Sequence, residues 1–348
     1  MPHLRLASLY FALIFLFLGV WSAAAQTGNT ALQTAVTRAM AGQRGTAVVL
    51  DVRSGHILAA YHPQVAARRL AYPGSSIKPF TLLALLDAGK VDAHTALVCK
   101  RPLTIAGHKL DCPHPATAEP LDPVAALAYS CNFYFTSVAT RLTPQQLRDS
   151  FVRDRFGSVT GLAPTEAAGN VALAHSPEEL QLQAIGEWGI KITPLELVRA
   201  YRTLALLSQT NGDAKSAALL SEGLQGSVAY GIARAAQPAS VMKAAGKTGT
   251  ARVEEGAWTH GWFAGYAPAD NPAIVLVVFL EKGHGSDAGA IAREIFEAFA
   301  DSAVIKLEVP QRLKPTRSNQ HNGTAEAVPL QSRVYPAADP SKLNGARP

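Results

Sequence analysis

Ser75 and Lys78, Ser130 and Asn132, and the run Lys247-Thr248-Gly249-Thr250 follow one another in a chain of 348 residues as S-x-x-K, S-x-N and K-T-G. Taken as an ordered set, they are residue types suited to covalent catalysis by serine, with a hydroxyl to attack and an amine placed to take its proton. A bare S-x-x-K carries little, because it is expected about once by chance in a chain this long. Ser240 to Lys243 is such a repeat. Context separates the two: Pro73-Gly74 breaks the chain just before Ser75, and an apolar helical run, Phe80 to Leu86, follows. Ser75 is therefore expected to open a helix, with its N–H among the unpaired donors of the first turn and the helix dipole favouring negative charge beside it. The spacing of three puts Lys78 on the same face. Its ammonium would give way to a proton-accepting amine if burial and a second cation discouraged it, and Lys247 is the expected second cation.

Other elements must bring these three segments together. Val48 to Val52, the turn at Ser54-Gly55 and Ile57 to Tyr61 read as a β-hairpin. Ala245 to Arg252, Trp262 to Ala267 and Ala273 to Leu280 read as three further strands, and Ala288 to Phe299 as a last helix. The middle is helical, with starts marked at Thr143-Pro144-Gln145-Gln146, Ser176-Pro177-Glu178-Glu179 and Thr193-Pro194-Leu195-Glu196. Each joins an N-cap, proline at the first helical position and Glu or Gln at the third. The third start opens an amphipathic helix carrying Leu197, Tyr201 and Leu204 on one side. Strands at both ends and helices between them predict an α+β fold: one antiparallel five-stranded sheet flanked by helices, with an inserted all-helical lobe. The three motifs would converge in the cleft between sheet and lobe.

The first 25 residues read as an export signal or an uncleaved anchor: Arg5, an apolar stretch of 15 residues from Leu6 to Val20, then Ala23-Ala24-Ala25. That stretch is short of the roughly 20 residues that span a bilayer as a helix, which favours cleavage and a periplasmic or cell-envelope location. Residues 26–305 form the expected domain, and 306–348 a Pro-rich polar tail without apolar period. The formal charge of +6 resides largely in that tail, where seven basic residues face three acidic ones, so the body has no basic footprint for nucleic acid. Cys99, Cys112 and Cys131 lie beyond the signal, in a compartment where disulfides persist. The short segment between Cys99 and Cys112 favours that pair, although spacing also allows Cys112 with Cys131. Cys99, His108, Cys112 and His114 form a nominal metal set that fits no usual ligand spacing, so no metal is expected. Cys131 reads as a packed small residue, and His260, Trp258, Trp262 and Phe263 as turn and core residues, with His284 able to line the cleft.

The stretches PGSSIKPF, AYSCNFYF, ITPLELVRAY and GKTGTARVEEGAWTHGWFAGYAPADNPAIVLVVFLEKG resemble the transpeptidase domain of class B penicillin-binding proteins over residues 30–305. The wider superfamily includes class D β-lactamases and penicillin-sensing domains, and Asn132 closing the second motif favours the penicillin-binding protein side. The resemblance implies a penicillin-binding protein/β-lactamase-like fold and an enzyme that acts on D-Ala-D-Ala peptidoglycan stem peptides and is acylated by β-lactams. It implies no cofactor, and other cell-wall synthesis proteins as partners. It makes Ser75 the nucleophile, Lys78 its base, and Ser130 the relay of the proton to the departing D-alanine. Asn132 would hold the donor amide, Lys247 would steady Ser130 and attract the substrate carboxylate, and Thr248 and Thr250 would bind that carboxylate. Gly249 would leave room for the substrate backbone, and the N–H groups of Ser75 and Thr250 would form the oxyanion hole. The chain departs from the pattern in that its first strand is expected soon after the signal, and in reading Gly186-Glu187-Trp188-Gly189 where the family commonly has G-Q-G. Glu187 reads as a solvated or capping residue, with deacylation as its alternative role.

Overall fold

The computed structural model describes residues 30–209, 214–253 and 256–308, all within one compact unit. The leader expected over 1–25 and the tail beyond Glu308 lie outside the described residues. Helix α1 spans residues 30–39, and the hairpin β1 (Gly45–Asp51) and β2 (Ile57–Tyr61) follows. The middle of the chain holds α2 (Pro63–Arg68), α3 (Lys78–Asp87), β3 (Thr104–Ile105), β4 (His108–Lys109), α4 (Pro123–Ala128), α5 (Asn132–Ala139) and α6 (Pro144–Arg153). It continues with β5 (Asn170–Val171), α7 (Pro177–Ala184), β6 (Ile190–Lys191), α8 (Pro194–Leu207) and α9 (Ala214–Ala229). Then come β7 (Ala245–Arg252), β8 (Thr259–Ala267), β9 (Ile274–Leu280) and α10 (Gly285–Glu308). Among the described residues no helix is long and apolar enough to cross a membrane.

The five long strands form one antiparallel sheet in the order β2-β1-β9-β8-β7, so the N-terminal hairpin is completed by the C-terminal strands. Strand β9 is apolar at every position because both of its faces are covered. Val275, Val277 and Phe279 face the helical lobe, while Ile274, Leu276, Val278 and Leu280 join α1 and α10 on the other side. β1 divides in the same way, with Val48 and Leu50 toward the lobe and Ala47 and Val49 toward the terminal helices. The result is three layers. α1 and α10 close one face of the sheet, and the lobe covers the other.

The expectation of an all-helical lobe is corrected by two small sheets, β3–β4 and β5–β6, each of two-residue strands. Strands that short carry no alternation for a sequence to display. The last helix also runs farther at both ends than its apolar period suggests.

The marked helix starts form as caps. Thr143 accepts from the Gln146 N–H at 3.1 Å while the Gln146 side chain accepts from the Thr143 N–H at 2.9 Å. Ser176 accepts from the Glu179 N–H at 3.2 Å. At α8 the capping residue Glu196 is itself buried, 1% exposed, and ties three chain segments together. Its carboxylate accepts from the N–H groups of Gly157 at 2.8 Å, Ser158 at 3.1 Å, Gly169 at 3.1 Å and Thr193 at 2.8 Å. Removing it would strand several buried donors at once, each costing about 1–3 kcal/mol. Glu196→Ala is therefore expected to lower unfolding stability by at least about 3 kcal/mol. A shifted denaturant midpoint with unchanged slope would show it, and a loss under 1 kcal/mol would mean that water replaces the carboxylate.

Candidate active site

Ser75 lies in a 3-10 turn, Gly74–Ile77, that runs directly into α3, whose first residue is Lys78. The expectation that Ser75 opens the α-helix is corrected to this tighter turn, in which the Lys78 N–H donates to the Ser75 carbonyl. At three residues per turn, positions i and i+3 stay on one side, so Ser75 and Lys78 remain neighbours.

The turn is held by close backbone approaches. Gly74, at φ +53°, donates its N–H to the Gly186 carbonyl at 3.1 Å. A Cβ on Gly74 would stand 2.7 Å from the Thr250 carbonyl oxygen, and one on Gly186, at φ +77°, would overlap the Gly74 carbonyl. A Cβ on Gly249 would overlap the Pro73 carbonyl. The absent side chain of Gly249 thus lets β7 close against the turn. Side chains brace the turn from behind: Tyr201 Oη donates to the Ser76 carbonyl at 2.8 Å and Trp262 Nε1 to the Tyr72 carbonyl at 3.0 Å.

Ser130 and Cys131 form the corner between α4 and α5. Ser130 is in the left-handed region, φ +56°, where the helix ends with its N–H on the Leu127 carbonyl at 3.2 Å and the Cys131 N–H on the Ala126 carbonyl at 2.9 Å. Glycine is the usual residue at such a helix end. A serine there costs about 1 kcal/mol or more, a strain of the kind kept at functional sites. Cys131 then caps α5, its Sγ accepting from the Tyr134 N–H at 3.4 Å.

Lys78 is fully buried beneath this corner. Its Nζ reaches the Ser130 carbonyl at 2.8 Å, the Ser130 hydroxyl at 3.1 Å and Asn132 Oδ1 at 2.6 Å, with the Phe135 ring 5.3 Å away. Burial lowers its pKa to about 8, against the opposing pull of the Cys131 and Cys112 sulfurs and the Glu187 carboxyl. Lys247 is also fully buried, and its Nζ donates to the Thr248 carbonyl at 3.0 Å. Burial first, and the nearby Lys78 charge second, hold Lys247 well below an ordinary lysine. Lys247 is thus a buried neighbour of Lys78 whose proton is weakly held, and its Nζ bonds the Thr248 carbonyl of its own strand.

Ser75, Ser130, Asn132, Thr248 and Thr250 share the lining of one cleft of about 300 Å³. Thr250 Oγ1 accepts from the Gly285 N–H at 2.9 Å, which anchors the end of β7 to the start of α10. Sequence reasoning missed Asp111, Ile232 and Ser286 in this lining, and no local pattern marks them because each comes from a separate loop or terminus. His284 lines the cleft, while the decoy Ser240 and Lys243 are exposed in the approach to β7. Glu187 is half-buried rather than a freely solvated surface residue. It stands between the cleft and an adjoining cavity that includes Tyr72, His108 and Arg252, and burial raises its carboxyl to about 7 against the pull of Arg252 and Lys78.

The three cysteines are free thiols. Cys99 Sγ and Cys112 Sγ are neighbours but stand 3.5 Å apart, and Cys131, the alternative partner that spacing allowed, is 3.7 Å from Cys112. With His114 they make a set whose sulfur and ring-nitrogen atoms all lie within 4.8 Å of one another, able to hold a metal ion. His108, a member of the nominal set considered from the sequence, lies instead on exposed β4.

Residues 45–301 match the family model for the penicillin binding protein transpeptidase domain. The chain belongs to that family. It is 26% identical to the peptidoglycan D,D-transpeptidase MrdA of Acinetobacter baumannii, over 76% of this chain and 52% of that protein. It is likewise 26% identical to the probable peptidoglycan D,D-transpeptidase PenA of Neisseria flavescens, over 81% of this chain and 79% of that one. The chain thus spans about half the length of the first of these relatives. Among solved structures, Pseudomonas aeruginosa PBP2 in complex with WCK 5153 superposes with a TM-score of 0.67 at 24% identity, covering 81% of this chain and 77% of that one. The D,D-transpeptidase domain of a peptidoglycan glycosyltransferase from Eggerthella lenta gives 0.67 at 22%, covering 80% and 82%. These likenesses establish the α+β transpeptidase fold.

The packing of this family member around Gly74 makes a specific demand. Gly186→Ala is expected to lower unfolding stability by about 2 kcal/mol or more, from a left-handed backbone and an overlap with the Gly74 carbonyl together. Denaturant titration reads the loss, and an unchanged midpoint would mean that the two backbones can separate freely.

Proposed function

We propose that the chain is a serine acyl-enzyme of peptidoglycan cross-linking, a DD-transpeptidase or DD-carboxypeptidase of the cell envelope that β-lactams acylate. The observation that carries this reading is the set of partners around Lys78 Nζ. A neutral amine keeps two N–H bonds for the Ser130 carbonyl and Asn132 Oδ1, and its lone pair can receive a proton from a hydroxyl. The Ser130 hydroxyl can accept from the ammonium or donate to the amine, so the geometry suits both protonation states.

In the proposed sequence, Ser75 Oγ bonds to the carbonyl carbon of the penultimate D-alanine as its proton passes to Lys78. The oxyanion is held by the N–H groups of Ser75 and Thr250, where losing one such donor commonly costs about 3 kcal/mol. The proton then moves through Ser130 to the leaving nitrogen, the C–N bond breaks, and D-alanine departs from an ester on Ser75. An amine or water resolves the ester. Asn132 orients the donor amide, Thr248 and Thr250 take the terminal carboxylate, and Lys247, when it holds its proton, attracts that carboxylate. The names of the relatives, peptidoglycan D,D-transpeptidases, support this substrate class. The burial and raised pKa of Glu187 beside the cleft favour a second outcome for the same ester, resolution by water, as a carboxypeptidase or a β-lactamase would perform.

An intact-mass time course with a penicillin tests the reading. A single adduct on the chain is expected, absent from Ser75→Ala, and adduct on that variant would remove Ser75 as the nucleophile. A lasting adduct marks a penicillin-binding protein, and a transient one with repeated drug consumption marks the hydrolytic reading.

Acylation should also follow the Lys78 proton. The competent amine is the neutral form, which grows as pH rises toward about 8. The acylation rate is expected to climb about tenfold per pH unit below that value and level off above it. A rate independent of pH between 6 and 9 would exclude Lys78 as the base.

A further inference from the structure

We propose that Cys99, Cys112, Cys131 and His114 bind one zinc ion as a closed Cys3His site that fixes the corner carrying Ser130 and Asn132. The sulfur spacing suits this. A tetrahedral zinc with Zn–S bonds of about 2.3 Å sets its sulfurs about 3.8 Å apart, and the pairs here stand at 3.5 and 3.7 Å. All four donor atoms fall within 4.8 Å of one another.

The histidine supplies an independent observation. His114 is 6% exposed, and its Nδ1 lies 2.7 Å from the Pro115 carbonyl oxygen. The Arg101 guanidinium also lies 3.2 Å from Nδ1, but it has the His114 and Pro115 carbonyls to donate to, so Nδ1 can give its proton to the Pro115 carbonyl and leave the lone pair of the neutral ring on Nε2. Nε2 is buried and has no hydrogen-bond partner. A carbonyl fixing the far nitrogen while the near one meets a metal is the usual arrangement of a metal-bound histidine.

Backbone donors face two of the sulfurs. The Phe133 N–H donates to Cys112 Sγ at 3.3 Å and the Tyr134 N–H to Cys131 Sγ at 3.4 Å, both from the first turn of α5. The odd number of cysteines has a place as well, since one disulfide strands a thiol whereas a Cys3His set uses all three. Three sulfurs and an imidazole form a donor set suited to zinc, and on binding each thiol yields its proton to solvent. This site departs from the expectation of no metal. The period and spacing rules could not find it because Cys131 joins the set only through the fold.

The ion would act by position. Cys131 lies between Ser130 and Asn132, and Asn132 Nδ2 donates to the carbonyls of Leu110 at 3.1 Å and Asp111 at 3.3 Å. One tetrahedral centre would therefore clamp the segment ending at His114 to the corner that holds Lys78.

Metal analysis of the full chain tests this without relying on the proposed reaction. Plasma mass spectrometry should find one zinc per chain after dialysis, and cobalt(II) exchanged into the unaltered protein should give the visible bands of tetrahedral, thiolate-ligated cobalt. His114→Ala should weaken zinc binding about tenfold or more in chelator competition, with His114→Cys restoring it and His108→Ala leaving it unchanged. If Cys131→Ser does not fold, the cobalt spectrum of the unaltered chain still decides. A metal-free chain with a Cys99–Cys112 disulfide in its peptide map would overturn the proposal. So would three free thiols that take up no cobalt, or a zinc content indifferent to His114.

Discussion

A lysine with no exposed surface needs an acceptor for every proton it keeps, and the neighbourhood of Lys78 is organised around that need. The Ser130 carbonyl, the Ser130 hydroxyl and Asn132 Oδ1 converge on one nitrogen. They can do so only because α4 ends and α5 begins at the same corner, with Ser130 in a backbone conformation that glycine would adopt more cheaply. The strain at Ser130, the cap at Cys131 and the burial of Lys78 are one arrangement seen from three residues. Breaking any of them would leave a buried amine short of partners.

The second constraint is steric. The turn bearing Ser75 is pressed between the segment containing Gly186 and strand β7, at distances that exclude a Cβ on Gly74, Gly186 or Gly249. Such contact transmits position without side chains. It fixes Ser75 relative to Thr248 and Thr250 by backbone alone, while Tyr201 and Trp262 hold the turn from the core side. The layers divide the labour, since the terminal helices and the outer sheet face bury apolar area and the lobe-facing side carries the polar machinery.

Much of this was legible in the sequence, for local reasons. The caps at Thr143, Ser176 and Thr193 are written in four-residue windows, β9 is a run of apolar residues because both its faces are covered, and the three motifs name residues that share a cleft. What escaped depends on distant contact. The 3-10 turn at Ser75 is set by Gly186 more than 100 residues away, and the close approach of Gly249 to Pro73 joins positions farther apart still. Glu196 shows a capping residue to the sequence but a buried hub to the fold, because its other donors arrive from residues 157–169. The sulfur cluster escaped likewise, since spacing allowed Cys112 to meet either Cys99 or Cys131 but could not show that it meets both.

The strand order has a consequence in time. β1 pairs with β9 across more than 200 residues of intervening chain, so β1 has only β2 as a neighbour until Leu280 has been made. A growing chain therefore carries β1 with one edge open through most of its synthesis, and closure of the sheet must await nearly the whole domain. Pairings of such sequence separation close slowly, and an open edge is a site for pairing with another chain. The burial of every β9 residue, which secures the finished fold, comes last.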